Sequence, residues 1–194
     1  MKRQILAATL LGLSLVSGGC TTAISSSLDS NAPLEAQAAT PTLEPVVSTD
    51  GNIQLTIPDT WKSAEISEAE QQSNIVLKLT TDQGELGLMV MAMPKIDGMT
   101  FDIFQVAVSG SVQAVVGDAD AVSLTSLEEL SGLPALQYEG VGTFDDRPLR
   151  VQATGVEATD TYYNILVAGD ANTFAMQEDN VQQMVNSFTV NAPQ

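Results

Sequence analysis

Met89, Met91 and Met93 alternate over five positions, and on an extended strand such residues share one face. Three thioethers in a row are soft ligands of the kind that hold Cu(I), and the same side chains are also adaptable fillers of irregular core space. Asp118 and Asp120, and the adjacent pair Asp145-Asp146, offer the oxygen donors that Ca²⁺ takes, without the D-x-[DN]-x-[DN]-G spacing of a calcium loop. Aspartate is favoured in turns for its local hydrogen bonds, which is the plainer reading of all four. Arg147 and Arg150 can dock an anionic group, or pair with Asp145, Asp146 or Glu157. Glu128, Glu129 and Glu139 are the candidates for a carboxylate pair of the type that hydrolyses glycosides. In so acidic a chain, such pairs also arise by chance. Trp61, Tyr162 and Tyr163 are sparse aromatics. Trp61 is expected to lie over the sheet edge as a lid, its N–H on a backbone acceptor, with an exposed binding platform as the second reading.

What is absent narrows the chemistry. The 194 residues include no histidine and one cysteine, Cys20. Ser-His-Asp and Cys-His pairs, histidine-zinc sites and histidine pH switches therefore have no residues to build them. The expectation is a non-enzyme without a cofactor. Seven basic residues stand against 24 acidic ones, a net charge of −17 that becomes −19 if Lys2 and Arg3 are removed. That surface repels nucleic acid and anionic headgroups. It is open to basic partners and divalent cations, and high charge also serves plain solubility.

The first twenty residues are laid out as an export signal. Lys2 and Arg3 precede an apolar stretch from Ile5 to Val16, shorter than the roughly twenty residues a membrane-spanning helix needs and right for a signal core. The stretch ends in Leu15-Val16-Ser17-Gly18-Gly19-Cys20, which resembles the lipobox of bacterial lipoproteins, although Ser17 stands where that motif usually has a branched aliphatic. An ordinary signal with an incidental thiol is the competing reading. Its best cleavage site, Ala36-Gln37-Ala38, lies far beyond the apolar core. Lipidation at Cys20 would anchor the chain to a bacterial membrane, facing the periplasm or extracytoplasmic side, because several acyl chains hold where one alone binds reversibly.

The elements that must position these groups follow from periodicity. Residues 20–50 are rich in Ser, Thr, Ala and Pro and read as a tether with a reach of roughly 30 Å. The folded domain is placed over 51–194. Ile53–Ile57, Asn74–Thr80 and Glu85–Met93 read as strands, the last apolar on both faces and so central. Phe101, Phe104, Val108, Val112 and Val115 form one stripe of a helix over 100–116, capped by Thr100 and ended by Gly117. Four strands follow, Ala121–Glu129, Ala135–Phe144, Leu149–Glu157 and Thr161–Gly169, joined by short turns that imply antiparallel neighbours. Thr173–Asn186 reads as a final helix with Phe174, Val181, Met184 and Val185 inward, and Ser187–Val190 as a last strand. The class is α+β, an antiparallel sheet covered by helices.

Several short pieces fall in an order that resembles the PsbP-like fold of photosystem II extrinsic proteins and DcrB-type bacterial lipoproteins. They are Gly51-Asn52-Ile53 through Pro58 and Trp61, then Ser131-Gly132-Leu133-Pro134-Ala135, Tyr162-Tyr163, and finally Val181, Val185 and Ser187-Phe188. The resemblance implies an α/β/α sandwich and a non-catalytic accessory or assembly role on a membrane complex, with an unidentified protein partner. It is compatible with a cyanobacterial source. It supplies no functional residue, because the metal sites proposed for the plant proteins depend in part on histidine.

Overall fold

The computed structural model describes residues 42–125 and 127–191. Strict alternation makes β2 (Ile53–Pro58) and β4 (Ile75–Thr81) half-buried strands, with Ile53, Leu55, Ile57 and Ile75, Leu77, Leu79 facing in. Between them lie β3 (Trp61–Ser63) and the short α1 (Glu68–Gln72). The doubly apolar segment becomes β5 (Leu86–Pro94). Then come α2 (Phe101–Val116), β6 (Val122–Thr125), β7 (Glu129–Leu130), β8 (Leu133–Phe144), β9 (Arg147–Glu157) and β10 (Thr161–Asp170). The described chain closes with α3 (Ala171–Met176), α4 (Glu178–Asn186) and β11 (Thr189–Val190).

All pairings are antiparallel. The large sheet runs β3-β4-β5-β10-β9-β8-β6, with β7 added to β8, and β1 (Leu43–Val47), β2 and β11 form a second, three-stranded sheet. Two hairpins turn in two residues. Ser131-Gly132 and Asp145-Asp146 all have positive φ, the mirror-image turn geometry whose twist matches the strands it joins. Asp145-Asp146 thus has a structural reason for its composition, since aspartate tolerates the left-handed region better than most residues.

One face of the large sheet is covered by α3, α4 and the small sheet. Their shared core holds Ile53, Leu55, Leu88, Ile165, Phe174, Met184 and Phe188. The other face is covered by α2, through Phe104, Val108, Val112 and Val116 at four-residue spacing. Val116 is buried where the sequence stripe had Val115, which flanks it together with Phe101. The helix is seated by strand glycines. A Cβ on Gly140 would lie 2.6 Å from Val112 Cγ1, and one on Gly155 would lie 2.8 Å from Val108 Cγ2. The expected α+β class and layered sandwich are borne out, with part of one covering layer made of β-structure.

Four expectations change. Order begins before Gly51, because Leu43–Val47 pair with β2 as an edge strand, and the Pro-rich composition hid it. Pro45 is tolerated there because an edge strand can spare an N–H. The helix over 173–186 is two helices, α3 starting at Ala171 under an Asp170 cap and breaking at Gln177. The strand expected over 121–129 is β6 alone, Val122–Thr125, with the separate β7 beginning at Glu129. Helix α1 was not foreseen, although Ser67 and Glu70 form a capping box at its start. The signal, Cys20 and the remainder of the tether up to residue 41 lie outside the described residues.

Candidate functional site

The strands run between two loop clusters. At one end lie Thr42, its carbonyl accepting a bond from the Asp59 N–H (3.1 Å), and the 81–85 and 144–148 turns. At the other end lie residues 48–52, Asn74, 158–161 and Asn191. Here two adjoining clefts of about 530 and 450 Å³ share Asn52, Thr161 and Tyr163. Asp50 organises the rim. Its Oδ1 accepts from Ser48 Oγ and the Asn52 N–H (3.1 Å), and its Oδ2 from Asn52 Nδ2 (3.0 Å). Tyr163 is buried edge-on against Phe188, with ring centroids 5.5 Å apart. Burial pushes its phenol pKa up, and the Asp50 charge adds to the shift. The clefts are lined by amides, hydroxyls and a few aliphatics, with one carboxylate in each, Asp50 and Asp160, which suits a hydrogen-bonding ligand without negative charge.

The other residues singled out by sequence disperse. Arg150 is half-buried: its Nη2 meets Glu178 Oε1 at 2.8 Å and Glu139 Oε2 at 3.2 Å, over the Phe174 ring. Its partners are therefore not Asp145, Asp146 or Glu157, because β9 turns its side chain toward α3 and α4 while the hairpin aspartates sit beyond the strand end. The Glu178 hydrogen bond, first among the causes, raises its pKa. Glu157 pairs instead with Lys95 at 2.7 Å. Arg147 forms no ion pair among the described residues and lines a cleft with Phe144, Glu85 and Asp170.

Glu129 stands opposite Pro134, and Glu139 lies five residues further along β8, roughly 17 Å away at strand rise. With Glu139 also held by Arg150, these carboxylates make no glycosidase pair. Asp118 Oδ1 accepts from the Asp120 N–H (2.9 Å), a local turn bond. Among the described residues no three acidic side chains gather to hold a metal. Trp61 is buried in β3, as a lid should be, but its Nε1 has no partner, contrary to the expected backbone bond. It lies against aliphatic side chains of the main core rather than beside a free carbonyl. Tyr162 stacks on Phe104 at 4.7 Å and donates to Met99 O (3.1 Å). Tyr162 and Trp61 are therefore core groups, whereas Tyr163 reaches the clefts.

One surface was not singled out in advance. Helix α2 has a single charged residue, Asp102, in sixteen. Its core face is closed, yet Ile103 (54% exposed), Val106 (69%), Ala107 and Ala114 lie on the outside, and Ile96 just before the helix is 69% exposed. Gln113 is exposed beside them, so from 103 to 116 the outer strip is uncharged and mostly apolar. No described helix is long and apolar enough to cross a membrane. The missing charge in 103–116 was visible in the sequence. Only its exposure needed the structure.

No family model matches the sequence and no curated protein aligns with it. Comparison of the structure with solved ones gives the decisive observation. Cyanobacterial PsbP (CyanoP) from Synechocystis sp. PCC 6803 superposes over 82% of this chain and 100% of its own, with a TM-score of 0.59 at 12% identity. The chain has the PsbP-like fold. Two further structures share this PsbP-like architecture. LpqN, involved in cell envelope biogenesis of Mycobacterium tuberculosis, has a TM-score of 0.53 at 15% identity, over 78% of this chain and 91% of its own. The Saccharomyces cerevisiae Ran-binding protein Mog1p has 0.52 at 12%, over 78% and 96%. At such identities the likeness fixes the PsbP-like fold alone, so the function must be argued from this chain's own surfaces.

Proposed function

We propose that this PsbP-like domain is a non-catalytic accessory module of the bacterial envelope, tethered to a membrane through Cys20, that binds a protein partner through the outer face of α2. The observation that carries the reading is the uncharged, mostly apolar exterior of α2 on an otherwise acidic molecule. Exposed large apolar side chains that stand together mark interaction sites more often than isolated ones do. The neighbours support it in kind: one is a PsbP, one is named for envelope biogenesis and one for binding another protein.

The test is a photo-crosslinking residue in place of Val106 in the full chain, in native membranes, with a second at exposed Asp82 as the control. A single protein captured from position 106 and absent from position 82 is the expected result. Equal capture at both positions, or none at either, would refute the assignment of this surface.

A second reading has its own observation. The adjoining clefts around Asn52, Thr161 and Tyr163 fit a small ligand without negative charge, and a ligand that binds only the folded state raises its melting temperature. A thermal-shift screen in which Tyr163→Phe abolishes the response to a hit would favour that reading over protein docking.

A further inference from the structure

The two faces of β5 differ more than its composition suggests. Leu86, Leu88 and Val90 are sealed in the main core, whereas Met89, Met91 and Met93 on the opposite face are only half-buried. The reason is the placement of α2, which lies over β8 and β9 and reaches β10 only with its edge. Met89 and Met93 pack against the margin of the α2 core and stay half-buried. The reading of these residues as core filler accounts for buried methionines and leaves three accessible thioethers in one row unexplained.

Their surroundings favour a cation. By register Met93 faces Tyr162, Met91 faces Asn164 and Met89 faces Leu166 across the β5–β10 ladder. Asn164 is buried, and its amide orientation is fixed by its neighbour. Ser111 Oγ donates to Val108 O (2.6 Å), so it must accept from Asn164 Nδ2 (3.1 Å). Asn164 Oδ1 is then left without a partner, an unneutralised carbonyl dipole opposite Met91. On the other flank Lys78 stands opposite Met89, but its Nζ is held by Glu70 Oε1 at 2.6 Å, which cancels most of its charge locally. The long-range field of an acidic domain also draws cations.

We propose that Met89, Met91 and Met93 form a Cu(I) site. Consecutive residues of the row are about 6.6 Å apart along the strand, so the outer two flexible side chains can lean toward the central one. Three neutral thioethers suit Cu(I), which prefers soft donors, and discriminate against Ca²⁺, Mg²⁺ and Zn²⁺, which take oxygen, nitrogen or thiolate. The step is binding alone, with no change of oxidation state.

The test uses the full chain carrying Cys20→Ser, so that no thiol contributes, titrated without oxygen with Cu(I) supplied as its acetonitrile complex. The expected result is uptake of about one ion per chain with a first shell of sulfur alone by X-ray absorption, since a three-thioether site offers nothing else. Met91→Leu keeps the apolar volume and should weaken binding by about a hundredfold or more, at least the loss that follows removal of a supporting contact. Met176→Leu, at an exposed methionine in α3, should leave it unchanged. No uptake by the Cys20→Ser chain would overturn the proposal. So would oxygen or nitrogen in the first shell, uptake retained by the Met89→Leu, Met91→Leu, Met93→Leu triple variant, or equal losses in Met91→Leu and Met176→Leu. Unchanged melting of each variant shows that a loss belongs to the site and not to the fold.

Discussion

On one face of the large sheet lie elements from both ends of the domain, β1 and β2 from its start and α3, α4 and β11 from its end. On the other, among the described residues, lies α2, with only the short α1 at the β4 margin. The first covering joins residues far apart in sequence, as when Ser187 Oγ accepts from the Thr56 N–H (2.7 Å), 131 positions away, and Ser131 Oγ donates to Phe188 O, 57 positions away. It is closed, and nearly every apolar side chain in it is fully buried. The second comes mainly from one local segment and leaves β5 and the helix exterior partly open. The closed face holds the domain together. The open one carries the surfaces with unspent apolar area and accessible sulfur, which is where binding is to be sought.

That division predicts graded responses to substitution, and the largest belongs to the closed face. Phe174 is fully buried beneath Arg150, so Phe174→Ala should cost about 3–5 kcal/mol, the range for deleting a core aromatic. The urea midpoint measures it. A loss under about 1 kcal/mol, the scale of surface changes, would mean that this face is not the stabilising one.

The α2 face should respond less, and through sterics. A Cβ at Gly155 would stand 2.8 Å from Val108 Cγ2 and 2.9 Å from Phe104 Cε1. Gly155→Ala should therefore push α2 outward at a cost of about 1–3 kcal/mol, as overpacking does. Adding Val108→Ala should recover part of the loss. If the double variant is as unstable as the sum of the two singles, α2 does not depend on this close approach.

The same contrast decides what could be read from the sequence. Face by face, alternation located β2, β4 and β5, and the four-residue stripe located α2 with its Thr100 and Gly117 caps. Those patterns record one-dimensional periodicity, which burial imposes directly. What stayed hidden depends on which segments meet. Pro45 in a Pro-rich stretch masks β1, which exists because β2 offers it an edge. Gln177 interrupts a helix whose apolar positions keep one period across the break. Arg150 chooses Glu139 and Glu178 over nearer aspartates because strand parity turns it toward α4. The Met89–Met91–Met93 row was legible as a pattern, while its accessibility depended on where α2 comes to rest.

A smaller effect is expected at the margin of the open face, where α1 meets β4. The Glu70 carboxyl has its pKa lowered from 4.5 to about 2, first by the hydrogen bond from Lys78, then by the Ser67 backbone and hydroxyl. A folded pKa below the unfolded one means that the contribution is complete above about 4.5 and is lost as pH falls toward 2. The stability gap between the wild type and Lys78→Met should accordingly be present at neutral pH and close on acidification through that window. A gap that stays constant from pH 6 to about pH 2 would exclude this ion pair as its source.

The smallest change in stability is expected where the largest change in binding is proposed. Val106 is 69% exposed on α2, and its removal from solvent contributes nothing to the isolated fold. Val106→Asp should shift stability by no more than about 0.5 kcal/mol, as exposed substitutions do. The same change places a charge in the middle of a strip that has none between Asp102 and Asp118. Any apolar partner seated there would have to bury an unpaired carboxylate, a penalty of several kcal/mol. Capture of the partner should then fail while the melting curve stays in place, which separates docking from folding on one helix. If Val106→Asp melts much earlier than the wild type, the exterior of α2 is covered in the free protein and belongs with the closed face after all. If it melts normally and still captures its partner, the open face has some other use and the weight passes to the clefts around Tyr163.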